Sequence, residues 1–247
     1  PDIFRRVWSV DVPGVGPMEA YPNRNALKYR SVYDIGSAET LIRATMRYPG
    51  FTQIWYAIAK LGLPNERLAV PDLGSKTFAE LTAMFVSAGR APLASRVADA
   101  LGVKPDAQLI ADLTWLGLFD DRRIDVLGDP GETVAGALTL LLSDRLRLRP
   151  EQKDMVVLHH DIDAVGVDPA RSKRTYRSTL VHRGEPGGIT AMAHTVGLPS
   201  AIATRLLMTD AFPRRGALIP TDRAVYEPIL TELASYGLTF DESCSDA

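Results

Sequence analysis

Three arginines, Arg24, Arg43 and Arg47, lie close together in this chain among residues suited to anion binding. Arg24 sits in Tyr21-Pro-Asn-Arg-Asn-Ala-Leu-Lys-Tyr29, and the other two in Asp34-Ile-Gly-Ser-Ala-Glu-Thr-Leu-Ile-Arg-Ala-Thr-Met-Arg-Tyr48, which runs on into Pro49, Gly50 and Phe51. A guanidinium is a planar fork that gives a carboxylate two parallel charge-assisted hydrogen bonds. Threaded with tyrosine and threonine hydroxyls among apolar residues, the three suit a small ligand with several carboxylates. Arg43 and Arg47 are four apart, which on a helix puts them on one face. Glu39 stands four residues before Arg43. The spacing alone is equally compatible with one solvated arginine beside a Glu39–Arg43 ion pair, and a solvated Arg24 is the matching alternative in its turn-like segment.

Other chemistry is thin. His159-His160-Asp161-Ile162-Asp163 puts His159, Asp161 and Asp163 on one side of a strand. Side chains at i, i+2 and i+4 spread over about 13 Å, too far to meet one ion, so no metal site is expected. His182 and His194 have no visible partners in the sequence. Gly184-Glu-Pro-Gly-Gly-Ile-Thr190 places glycines before a helix, but lacks the G-x-G-x-x-G spacing of a dinucleotide loop and reads as a tight turn. The one cysteine, Cys244, has no partner for a disulfide, metal or nucleophile site. No Ser-His-Asp or Cys-His pattern is visible. These residues offer a binding surface for an anionic small molecule, with no catalytic, cofactor-binding or metal residues.

The totals agree with a globular protein. The chain has 247 residues, 46% hydrophobic and 23% charged, with a formal net charge of −2, enough for one large domain or two small ones. Its 28 basic residues are 22 Arg and 6 Lys. The near-neutral balance argues against a nucleic-acid partner, which needs a basic face. The longest apolar runs fall well short of the roughly 20 residues that span a bilayer, so no membrane partner is expected. Pro1-Asp-Ile-Phe reads as an internal start, without a signal-peptide pattern.

The elements that must position the arginines follow from periodicity. Residues 6–12 read as a strand ending at Pro13-Gly-Val-Gly-Pro17. The spacing predicts a helix over 37–46, and a second over 51–61 with Phe51, Ile54, Trp55, Ile58 and Leu61 on one face and Gly62 as its stop. Residues 76–150 read as a helical subdomain with segments near 76–88, 91–101, 106–117 and 132–146. Two strands, 154–165 and 173–183, follow as an antiparallel pair joined by a short linker at 166–172. Helices are expected at 189–196, at 199–208 after a break at Gly197-Leu-Pro199, and at 224–236. The fold class is therefore α/β (α+β mixed), with a mixed or antiparallel sheet domain and a helical insertion.

Tyr21-Pro-Asn-Arg-Asn and Thr40-Leu-Ile-Arg-Ala-Thr-Met-Arg-Tyr-Pro-Gly-Phe51 resemble the "PNRDS" and "RGTLRYKGF" patterns of glutamate-forming saccharopine dehydrogenases. Lys153-Asp-Met-Val-Val157, Ala191-Met-Ala-His-Thr-Val-Gly-Leu-Pro-Ser-Ala-Ile202 and Tyr226-Glu-Pro-Ile-Leu-Thr-Glu-Leu233 are similar to further patterns of the family, in family order. The resemblance implies an oxidoreductase of lysine metabolism that cleaves saccharopine with a nicotinamide cofactor and water, giving glutamate and 2-aminoadipate semialdehyde. It implies that Arg24, Thr45, Met46 and Arg47 contact the substrate. Arg43 matches the first arginine of "RGTLR", for which a structural role is an equal alternative. Asn25 and Ala26 stand where the family has Asp-Ser, Ala44 where it has Gly, and Met46 where it has Leu.

The family also implies the layout: an α/β substrate-binding and dimerisation domain over 1–75 and 151–188, the helical subdomain 76–150, and helices in 189–247 that return to a Rossmann domain. In the family that domain carries NAD(P), so cofactor and acid–base groups are expected outside this chain. The isolated chain is then expected to be inactive, and the apolar face of the helices in 189–236, without that cover, to be exposed, refolded onto the core or buried by another chain. A homodimer is the expected assembly, and the cytoplasm the expected compartment, with the mitochondrion as alternative. A non-catalytic binding or interaction module, or a related dehydrogenase acting on lysine or carboxyspermidines, is the competing reading.

Overall fold

The structure, a computed structural model, describes residues 2–166, 173–209 and 216–246. In chain order the elements are β1 (Trp8–Val12), β2 (Gly16–Pro22), α1 (Tyr29–Val32), β3 (Ala44–Arg47), α2 (Phe51–Leu61), α3 (Phe78–Ala83), α4 (Leu93–Leu101), α5 (Gln108–Leu116), α6 (Val134–Arg145), β4 (Met155–Ala164), β5 (Arg174–Arg183), α7 (Ala191–Met208), α8 (Arg223–Ser235) and β6 (Asp241–Asp246). The strands form two small sheets, ordered β1-β2-β3 and β4-β5-β6. The fold is mixed α/β, as its alternating patterns require. No helix among the described residues is long and apolar enough to cross a membrane.

The chain divides into two compact units. The first comprises 1–9, 18–22 and 44–147. In it β2 and β3 pair antiparallel, with Glu19 opposite Arg47, Ala20 opposite Met46 and Tyr21 opposite Thr45. The helix α2 follows at once. Gly62, left-handed at φ 87°, closes it by donating to the carbonyls of Ile58 and Ala59. Helix α3 starts with a reciprocal cap, the Thr77 hydroxyl accepting from Glu80 N–H while the Glu80 carboxylate accepts from Thr77 N–H. The helices α2–α6 share one core in which Ala57, Ile58, Phe78, Val97, Leu113, Ile124, Val134 and Leu141 are almost wholly buried. Each of these side chains larger than alanine contributes about 1.5–3 kcal/mol of burial.

The second unit comprises 10–17, 23–43 and 148–247. Here β4 and β5 pair antiparallel along ten residues, from Met155 opposite Arg183 to Ala164 opposite Arg174, and β6 adds to the other side of β5. Their linker, 167–172, lies outside the described residues. Ile202 and Leu206 of α7 and Leu233 of α8 pack with Leu180 and Leu238 into a small core. The inner side of the two helices is thus covered by the chain's own strand β5. Met192, Val196 and Leu207 of α7 and Leu230 of α8 remain exposed.

Three local expectations are corrected. Residues 37–46 are not a helix: 37–43 are irregular and Ala44–Arg47 is β3, because cross-strand pairing with β2 outweighs a weak helical spacing. Residues 189–208 do not hold two helices, since α7 runs unbroken through Pro199. A proline removes one hydrogen bond, and the packing of Leu198, Ile202 and Leu206 into the core offsets that loss. The strands β2 and β6 were not expected at all.

Candidate functional site

Because β3 is a strand, its side chains alternate. Thr45 and Arg47 share one face with Glu19 and Tyr21 of β2, while Met46 shares the other with the almost fully buried Ala20. A ligand on the Thr45–Arg47 face therefore meets position 46 through its backbone, which makes the Leu-to-Met departure there a mild one. Arg43 lies just before the strand and does not share a helical face with Arg47.

The Thr45–Arg47 face is built on aromatic rings. Tyr21 stacks on Phe51 at 6.1 Å between centroids, Phe51 lies 6.0 Å from Trp55, and Phe4 lies against both Tyr21 and Trp55. The Arg47 guanidinium sits 5.4 Å above the Phe51 ring and donates to the Met46 carbonyl at 2.7 Å. The cation–π contact restrains the long side chain while leaving most of its donors outward. Arg47 is exposed and makes no ion pair among the described residues. Glu19, directly across from it, is turned away. Its carboxylate accepts from Gly50 N–H at 2.7 Å, Thr52 N–H at 3.1 Å and the Thr52 hydroxyl at 2.7 Å. Burial alone would raise the Glu19 pKa, but these bonds outweigh it and hold the carboxyl below its usual range.

Arg24 belongs to the second unit. It is exposed, makes no ion pair among the described residues, and has left-handed backbone at φ 62°. For a residue with a Cβ that conformation costs roughly 1–2 kcal/mol. Its neighbours hold it: Asn23 N–H donates to the Arg43 carbonyl at 2.8 Å, and the Asn25 side-chain oxygen accepts from Leu27 N–H at 3.0 Å. Asn25 thus does the turn-forming work that an aspartate would do equally. Ala26 is buried and Ala44 is exposed. The Glu39–Arg43 ion pair left open by the spacing is not made among the described residues.

The other candidates resolve into structure. His159 Nδ1 lies 2.8 Å from the Thr179 hydroxyl and its Nε2 lies 3.2 Å from Asp161, which also accepts from Arg177 at 2.9 Å. This hydroxyl–imidazole–carboxylate order, invisible in the sequence, comes from β4–β5 register. Thr179 is 5% exposed, so no substrate reaches it. Asp163 is held by Lys173 at 2.7 Å and Thr175 at 2.7 Å. His182 and His194, distant in sequence, approach to 3.0 Å between ring nitrogens.

The turn before α7 does not fit a dinucleotide. Asp154 accepts from Ala191 N–H at 2.7 Å and Met192 N–H at 2.9 Å, and Thr190 accepts from Ala193 N–H at 3.0 Å. The donors a pyrophosphate would use are occupied, and by a carboxylate. Burial would raise the Asp154 pKa, but the Met192 and Ala191 bonds, with the nearby His182, leave it lowered.

Comparison with known proteins follows the same lines. Residues 2–238 match the model of the saccharopine dehydrogenase C-terminal domain. The chain is 31% identical over 235 residues to the mitochondrial alpha-aminoadipic semialdehyde synthase of Rattus norvegicus, covering 93% of this chain and 24% of that protein. It is 28% identical over 235 residues to the NADP(+), L-glutamate-forming saccharopine dehydrogenase of Schizosaccharomyces pombe, covering 92% of this chain and 51% of that protein. Among solved structures, apo histidine-tagged saccharopine dehydrogenase (L-Glu forming) from Saccharomyces cerevisiae superposes with a TM-score of 0.83 at 27% identity, over 98% of this chain and 55% of that one. The chain thus spans about a quarter to a half of the length of these relatives. With the arginine-bearing segments inside the matched span, this chain belongs to the saccharopine dehydrogenase C-terminal domain family.

Proposed function

We propose that this chain is the saccharopine-binding part of a saccharopine dehydrogenase of lysine metabolism, with Arg24, Thr45, Met46 and Arg47 as its substrate contacts. The observation that carries the proposal is the β3 face, where Thr45 and Arg47 point the same way and the acid opposite Arg47, Glu19, is bound elsewhere. Saccharopine has three carboxylates. A guanidinium without a counter-charge among the described residues receives one bidentately, and position 46 offers its backbone.

The overall reaction is saccharopine, NAD(P)+ and water to glutamate, 2-aminoadipate semialdehyde, NAD(P)H and a proton. The nicotinamide cofactor supplies the hydride acceptor. On this reading it is held by residues beyond this chain, which spans about a quarter to a half of the length of its relatives. The chain's own task is to bind and orient the anionic substrate. The working enzyme is taken to be a cytoplasmic homodimer, which sedimentation and fractionation would check.

The test is steady-state kinetics of the full-length enzyme. Arg24→Ala and Arg47→Ala should each raise KM for saccharopine by one or two tenfold steps, about 1.5–3 kcal/mol for a lost charged hydrogen bond. Unchanged KM in both variants would remove the arginines from the site. Residues 1–247 alone should neither bind NADP nor produce NADPH from saccharopine, and turnover by the pure chain would overturn the division of labour.

A further inference from the structure

We infer that Glu19 is a positioning residue for Arg47, acting through the first turn of α2. The inference rests on the proposed role of Arg47 in holding a substrate carboxylate. Opposed residues in an antiparallel pair bring their Cβ atoms within about 4.5–5.5 Å on one face. A glutamate opposite an arginine would ordinarily form an ion pair there. Glu19 instead gives both carboxylate oxygens to the start of α2, to Gly50 N–H, Thr52 N–H and the Thr52 hydroxyl.

Two consequences converge on Arg47. Among the described residues its charge meets no ion-pair partner, because the acid opposite it is engaged by other donors. Its platform is also fixed: Phe51, beneath the guanidinium, lies between the two residues that Glu19 grips. The path is short and physical. Glu19 holds Gly50 and Thr52, these set Phe51, and the Phe51 ring aims the guanidinium. An N-terminal helix cap borrowed from a neighbouring strand would stabilise α2 by itself. Its coincidence with the Arg47 register makes it a positioning device as well.

The experiment uses the full-length enzyme and saccharopine saturation kinetics, with melting temperature measured in parallel. Glu19→Gln replaces one acceptor oxygen with a donor amide and removes the charge. Thr52→Val removes the hydroxyl donor alone and serves if Glu19→Gln folds poorly. Both should raise KM for saccharopine by about 3- to 10-fold with kcat within about twofold, while Thr52→Ser behaves as wild type. In an Arg47→Ala background, Glu19→Gln should add nothing further to KM. Lower melting temperature with wild-type KM in both Glu19→Gln and Thr52→Val, while Arg47→Ala still raises KM, would overturn the inference and leave the substrate site standing. Unchanged KM in Arg47→Ala would instead refute the substrate site, and the inference with it.

Discussion

Asp154→Ala should destabilise the second unit by freeing the start of α7. Its carboxylate accepts from two consecutive helix N–H groups, at 2.7 and 2.9 Å. A lost helix N-cap costs about 0.5–2 kcal/mol, and the half-exposed setting of Asp154 argues against a figure above that range. About 1.5 kcal/mol is expected. For a chain of 150–250 residues each kcal/mol moves the melting temperature by about 2–4 °C, so the variant should melt about 3–6 °C lower at pH 7. The sign with pH follows from the lowered Asp154 pKa. A depressed folded-state carboxyl stabilises fully above its unfolded value, 3.8, and loses that contribution as pH falls through the lower folded value. The gap between wild type and variant should hold from pH 7 to about 5 and narrow below 3.8. Gly184→Ala attacks the same contact by another route. A Cβ there would stand 2.2 Å from Asp154 Oδ1 and 2.7 Å from Ala191 N. The double variant should therefore lose less than the sum of the two single losses, since the Asp154 contact is relieved while the Ala191 backbone contact remains. Thermal unfolding followed by circular dichroism across the pH series is the assay. A gap that is absent at pH 7, or that survives unchanged in acid, would refute the reasoning.

Further variants probe the scaffold. Leu113→Ala, at a wholly buried position, should cost about 2–5 kcal/mol in urea unfolding; a loss under 1 kcal/mol would mean the helical core is looser than described. Gly50→Ala tests backbone strain alone, since nothing lies within 4 Å of the added methyl while φ is 95°. Its expected cost is roughly 1–2 kcal/mol, with KM for saccharopine rising because the Arg47 platform shifts; wild-type stability would contradict the left-handed assignment. Gly136→Ala would put a Cβ 1.9 Å from the Pro130 carbonyl oxygen. It should unfold the first turn of α6, seen as faster amide exchange there, and unaltered exchange would count against that close approach.

Much of this architecture is local chemistry and can be read along the chain. Phe51, Ile54, Trp55, Ile58 and Leu61 recur at helical spacing and Gly62 ends them, so α2 has its expected bounds. The β4–β5 pair carries enough alternation to be seen. What escapes is set by distant partners. Residues 37–46 carry a weak helical spacing, yet 44–47 become a strand because Glu19–Pro22 pair with them. Strand β6, Asp-Glu-Ser-Cys-Ser-Asp, is exposed throughout and has no apolar pattern, so only the edge of β5 makes it a strand. The candidate site divides in the same way. The residue types at 24, 45 and 47 were legible, and the family pattern named position 46. The facing of 45 with 47, the withdrawal of Glu19 and the left-handed backbone of Arg24 were not, since each depends on register or a dihedral angle.

Arg24 occupies a backbone conformation that glycine or asparagine would adopt with less strain. Selection for heat tolerance alone would therefore favour replacing it, and the replaced protein would pass every folding assay. A stability-guided redesign of this domain that treats position 24 as an ordinary loop residue would discard a proposed substrate contact while its melting curve improved. If Arg24 holds substrate as proposed, fitness and robustness pull apart at this one position, and a gain of a few degrees there would come at the cost of binding.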